Sequence, residues 1–95
     1  MKKTTKGLFS LGQLLSTPGA LAALEEAGVE PSELLGCHVT GDWGNLDEED
    51  KVLNDQALVD DTRILSAYIL STGSKIWIIS EADRSATTIL LPHEY

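Results

Sequence analysis

Residues 63–95, RILSAYILSTGSKIWIISEADRSATTILLPHEY, decide the fold. Three apolar, β-branched runs are separated by two polar breaks, and such side chains suit a pleated, half-buried surface. Residues 63–70 make the first expected strand. Ser71-Thr72-Gly73-Ser74 then reads as a hairpin turn, with Gly73 supplying a positive φ angle. Residues 75–80 make the second strand. Its run Ile76-Trp77-Ile78-Ile79 predicts a strand covered on both faces, hence a central one with Trp77 largely buried. Glu81-Ala82-Asp83-Arg84-Ser85 is the second break, and residues 86–91 make the third strand, stopped by Pro92. Connections this short join antiparallel neighbours, so the three strands form a meander.

Helical signals precede the sheet. Thr17-Pro18 is a helix start, because Thr accepts from the first free N–H groups and Pro tolerates the first helical position. Gly28 is the matching stop. Pro31-Ser32-Glu33 opens a second helix carrying Leu34, Leu35 and His38, ended by Gly41. Gly41-Asp42-Trp43-Gly44-Asn45 is a turn around a large aromatic. A third helix opens with Asp47 as N-cap, and Glu48, Glu49 and Asp50 suit the positive end of its dipole. Val52, Leu53, Ala57 and Leu58 are expected to form its inward stripe, and Asp60-Asp61-Thr62 breaks it. Residues 8–16 read equally as a short strand or a helical turn. Residues 1–6, MKKTTK, read as a flexible tail. The expected class is therefore α+β, with N-terminal helices packed on a three-stranded antiparallel meander in one domain over residues 7–95.

Apolar runs of about five residues fall far short of the roughly 20 that a membrane span needs, so no membrane partner is expected. Lys2 and Lys3 are followed by no apolar signal region, which predicts a cytoplasmic protein. Cys37 is the single cysteine. It has no partner for an internal disulfide, and its neighbours Leu34, Leu35 and Val39 mark it as a small buried hydrophobe.

The net charge of −8 is segregated. Residues 1–24 carry Lys2, Lys3 and Lys6 and no acid, residues 25–61 carry twelve acids against Lys51 alone, and residues 62–95 are balanced. An acidic block of this kind repels phosphate backbones, so direct nucleic-acid binding is not expected, and it attracts basic protein surfaces. The same block also serves solubility.

Few side chains suggest chemistry. His38 is a candidate general acid or base, set against a plain capping or surface role. The acids from Asp42 to Asp50 fail the alternation that a calcium loop requires, so no metal is expected. No Gly-rich phosphate loop, metalloprotease helix or nucleophile elbow is present, and no cofactor is expected. In a meander, Arg63 and Arg84 start the first and third strands at one end of the sheet. With Ser85 they are a candidate anion patch, unless they pair with Asp61, Glu81 and Asp83 instead. Trp43 reads either as a plug on the core or as an exposed anchor for a partner.

Taken together, TPGALAALEEAG, GDWGNLDEED, RILSAYIL and EADRSATTILLPHEY resemble a family of small acidic bacterial proteins of plasmids and other mobile elements. The resemblance spans roughly residues 7–95, implies a mobile-element setting and brings no catalytic residues with it. In architecture, helices followed by a meander are similar to the barnase/colicin/RelE-like ribonucleases. That likeness implies a metal-independent site built from His38, Arg84 and Thr88 or Thr87. Those nucleases carry a basic RNA-facing surface, whereas this chain is acidic.

The leading expectation is a non-enzymatic protein that regulates or inhibits a basic partner through Asp42, Trp43, Asp47, Glu48, Glu49 and Asp50. The ribonuclease-like enzyme is the alternative. A module that uses the sheet's exposed face for a small ligand or for oligomerisation is the third reading.

Overall fold

A computed structural model describes residues 7–95; the expected tail at residues 1–6 lies outside them. The chain runs β1 (Gln13–Ser16), α1 (Pro18–Ala27), α2 (Pro31–Val39), α3 (Glu48–Asp60), β2 (Ile64–Ile69), β3 (Lys75–Ser80), β4 (Ala86–Leu90) and a 3-10 turn (Pro92–Glu94). The class is α+β. The expected meander is present, with β2 antiparallel to β3 and β3 antiparallel to β4. The ambiguous segment at residues 8–16 supplies a fourth strand. β1 pairs parallel with β4, so the sheet is mixed and its order is β1-β4-β3-β2. Gly12 makes this pairing possible, because at its φ of 66° a β-carbon would overlap the carbonyls of Arg84 and Ser85.

Helix ends follow the expected capping chemistry. Thr17 Oγ1 accepts from Ala20 N at 3.1 Å and donates to Glu94 Oε1 at 2.6 Å, tying the start of α1 to the C-terminal turn. Asp47 caps α3 through Asp50 N at 2.8 Å.

One face of the sheet carries the main core. Leu24 of α1 and Leu35 of α2 pack on Tyr68, Ile76, Ile78 and Ile89. A second cluster joins Trp43, Ala57 and Ile64, with Phe9, Leu46 and Leu58 around it. The opposite face is covered only in part. Ile69 is exposed there, and Trp77 is half-buried with its ring against Tyr95 at 6.0 Å between centroids. Trp77 thus sits on an interior strand with most of its surface covered, but it does not reach the full burial of Ile76 and Ile78. Ile76 and Ile78 point into the core, whereas Trp77 alternates onto the thinly covered face.

The stripe expected on α3 is kept only at its C-terminal half, where Ala57 is buried and Leu58 packs on the second cluster. Val52 and Leu53 are exposed, and the buried residues of α3 are Asn54 and Ala57. The reason lies in where α3 sits. It runs beside the edge strand β2, where unpaired backbone groups need hydrogen bonds rather than apolar cover. Asn54 Nδ2 donates to Leu65 O at 2.6 Å, and Leu65 N donates to Asn54 Oδ1 at 3.2 Å. The turn before α3 continues this seal. Ala67 N donates to Trp43 O, Asn45 N donates to Ala67 O, and Ile69 N donates to Asn45 Oδ1. Gly44 bridges Ala67 at a φ of 79°, where any side chain would strike Ala67 O and the Tyr68 ring.

Candidate functional site

His38 faces inward from the last turn of α2, the side of that helix that packs on the sheet. It is 0 % exposed, so it is neither a cap nor a surface residue. Its Nδ1 lies 2.6 Å from Ser66 Oγ on β2, and its Nε2 lies 2.9 Å from Ser80 Oγ on β3. Ser80 Oγ lies 2.7 Å from Thr87 Oγ1 on β4, and Thr87 Oγ1 donates to Leu11 O at 2.7 Å.

The proton positions follow from this order. Thr87 has one hydroxyl proton and gives it to a carbonyl, which can only accept, so Thr87 accepts from Ser80. Ser80 has then spent its own proton and accepts from His38 Nε2–H. In the neutral ring Nδ1 is the acceptor, so Ser66 donates to it. The chain is directed Ser66→His38→Ser80→Thr87→Leu11 O, and every buried polar side-chain atom in it is satisfied. Burial, with the Arg84 charge adding to it, lowers the His38 pKa from 6.5 to about 4. The ring is neutral at physiological pH.

This cluster has the residue types of a nucleophile and its base, but the reverse proton order. Ser80 receives a proton from His38 where a nucleophile would give one up. Ser66, Ser80 and Thr87 are each 0 % exposed, so no substrate reaches them in this conformation.

The structure brings Arg84 close to this region but commits its guanidinium elsewhere. Arg84 Nη1 donates to Thr62 O at 2.7 Å and to Glu81 O at 3.0 Å, and Nη2 donates to Ala57 O at 3.0 Å. The guanidinium lies 5.4 Å from the Phe9 ring centre, and Phe9 meets His38 edge-on at 5.3 Å. Arg84 thus ties the end of α3 to the β3–β4 turn, and it holds a left-handed φ of 60° to do so. Thr88 alternates to the other face of the sheet from Thr87. His38, Arg84 and Thr88 therefore do not surround a common phosphate-sized space.

The expected patch of Arg63, Arg84 and Ser85 is likewise divided. Arg63 donates to Tyr95 Oη and stacks over its ring. Ser85 N donates to Asp83 Oδ1. Local pairing of the arginines with Asp61, Glu81 and Asp83 is not seen among the described residues, where carbonyls and Tyr95 take their place.

Trp43 is the core plug of the two readings. It is 4 % exposed and its Nε1 donates to Asp55 Oδ1 at 3.0 Å. It is not available as an exposed anchor. Cys37 is half-buried, and burial together with nearby Asp42 pushes its thiol pKa up, away from the thiolate form that acts as a nucleophile.

The acidic candidates are at the surface. Asp42, Asp47, Glu48, Glu49 and Asp50 are all exposed. Among the described residues one ion pair touches this group, Lys51 Nζ to Glu48 Oε2 at 3.7 Å. One turn along α3, Val52 and Leu53 are 61 % and 62 % exposed. A shallow depression lined by Leu46, Asp50, Leu53, Asn54, Arg63 and Leu65 adjoins them. The sequence pointed to the acids but not to the apolar pair beside them, because the helical period alone does not reveal that an amide takes the inward position.

Among the described residues no helix is long and apolar enough to cross a membrane, and no three ligating side chains cluster to hold a metal ion. No family model, curated protein or solved structure matches the chain.

Proposed function

We propose that the protein is a non-enzymatic interaction module that docks a basic protein surface through the first two turns of α3. One observation carries this reading: Glu48, Glu49 and Asp50 are exposed beside the exposed pair Val52 and Leu53. An apolar centre with a charged rim is the usual anatomy of a protein interface. The acids steer a basic partner inward, and the apolar pair is buried on contact. Asp42 and Asp47 extend the rim. Val52 and Leu53 take the anchoring role expected of an exposed Trp43. The mobile-element resemblance makes a nucleic-acid-binding host protein the class of partner, inhibited or regulated by having its basic surface covered.

The test is affinity capture from a bacterial lysate with wild-type protein and with a Glu48→Lys, Glu49→Lys, Asp50→Lys variant, each eluted by rising salt. The reading expects a basic protein that wild type retains and the variant does not. Equal retention by both reduces the acidic turn to a solubility feature.

A further inference from the structure

The two edges of the sheet are treated differently. The β2 edge is sealed by Asn54, Trp43 and Asn45. The β1 edge is not. Gln13 N donates to Ser85 O and Thr17 N donates to Ile89 O, so alternate residues of β1 face β4. The N–H and C=O of Leu14 and Ser16 therefore point outward. Among the described residues no backbone group bonds to them. An unpaired edge of this kind is a template for another strand.

Charge selects the occupant. Residues 7–24 contain no Asp, Glu, Lys or Arg, in a chain of net charge −8. Two copies of an acidic molecule repel one another over most of their surfaces. At β1 neither copy presents an ionisable side chain of its own. The exposed residues there are the neutral Gln13, Leu14 at 54 % and Leu15 at 44 %, with Leu21 exposed on the helix that follows. A basic foreign strand has nothing here to attract it.

We propose that the outer edge of β1 pairs antiparallel with β1 of a second copy, joining two four-stranded sheets into one of eight strands. The register that uses both outward residues is centred on Leu15. Leu14 and Ser16 of each copy exchange hydrogen bonds with Ser16 and Leu14 of the other, and Leu15 faces its own counterpart across the two-fold axis. This interface lies on a different part of the surface from the acidic turn of α3 and does not depend on the function proposed for that turn.

The test is sedimentation equilibrium of the full chain across protein and salt concentration. Wild type is expected to dimerise, more tightly as salt screens the repulsion between the two copies. Leu15→Lys and Leu15→Glu are each expected to weaken the dimer about tenfold, because each sets like charges opposite one another. Mixing the two is expected to restore a heterodimer. Leu14→Pro removes an outward N–H and spares the β4 ladder, so it should also weaken the dimer while the thermal midpoint is kept. Should that variant misfold, the Leu15 pair decides. A wild type that stays monomeric at its highest soluble concentration overturns the proposal. So does a dimer that ignores the Leu15 variants, one that they weaken without complementing each other, or one that salt dissociates.

Discussion

His38 Nε2 donates to Ser80 Oγ at 2.9 Å, a direction set by the Leu11 carbonyl at the far end of the chain, while burial keeps the ring neutral. The unfolded chain takes up a proton near the ordinary pKa of 6.5, whereas the folded protein resists protonation down to about 4. The unfolded state therefore binds more protons between those values. The stabilisation from a neutral His38 is full above pH 6.5 and is lost as the pH falls through 4. A shift of this size corresponds to about 3 kcal/mol. Denaturant titrations of wild type and His38→Gln from pH 7.5 to 4 should show wild type losing more stability by that margin. Parallel pH profiles would mean that His38 titrates normally in the folded state.

The Asn54 amide replaces a neighbouring strand at Leu65, so its loss should be felt in both stability and association. Asn54→Ala is expected to cost about 2 kcal/mol, the usual penalty for stranding backbone partners. It should also speed hydrogen exchange at the Leu65 amide and promote aggregation from the opened edge. Val52→Ala, on the solvent side of the same helix, should leave stability within about 0.5 kcal/mol. Equal effects at the two positions would contradict the edge-sealing role.

Three glycines give graded outcomes under replacement by alanine. At Gly44 the new β-carbon meets Ala67 O and the Tyr68 ring, and φ is 79°, so destabilisation above about 2 kcal/mol is expected. At Gly28 the φ of 72° is unfavourable but nothing lies within 4 Å, which predicts about 1 kcal/mol. At Gly36, inside α2 with open space around it, alanine should stabilise by about 0.5–1 kcal/mol. Chemical denaturation of the three variants checks the order, and a neutral Gly44→Ala would refute the close passage of the turn along β2.

The two tryptophans separate by environment. Trp43→Ala removes a buried ring from the second core cluster and should cost about 3–5 kcal/mol. Trp77→Ala should cost less, since its ring is half-buried beneath Tyr95. In single-tryptophan variants, acrylamide should quench Trp77 more strongly than Trp43. The reverse ranking would invert the assignment of the covered face.

What the sequence made legible was local. The three strands of the meander, the Asp47 cap and the Thr17 cap are written in turn residues and capping chemistry within a few positions. β1 is ambiguous in the sequence because it has four residues and its partner strand lies some 70 positions away, so no local turn announces the pairing. His38 read as a helix-end residue because nothing near it in sequence reveals Ser66 and Ser80, which reach it across the sheet. Arg84 read as an anion ligand because its true partners are carbonyls, which every residue carries and no pattern marks. The acidic turn was legible throughout, because charge at a helix N-terminus stays at the surface.

The claim that α3 docks a basic surface is tested most directly by the association rate of a captured partner, measured by stopped-flow at increasing salt. Wild type should associate fast at low ionic strength and slow steeply as salt rises. The Glu48→Lys, Glu49→Lys, Asp50→Lys variant should associate at least about tenfold more slowly at low salt, with the steep dependence gone. A variant that matches wild type in rate and in salt dependence would contradict the account.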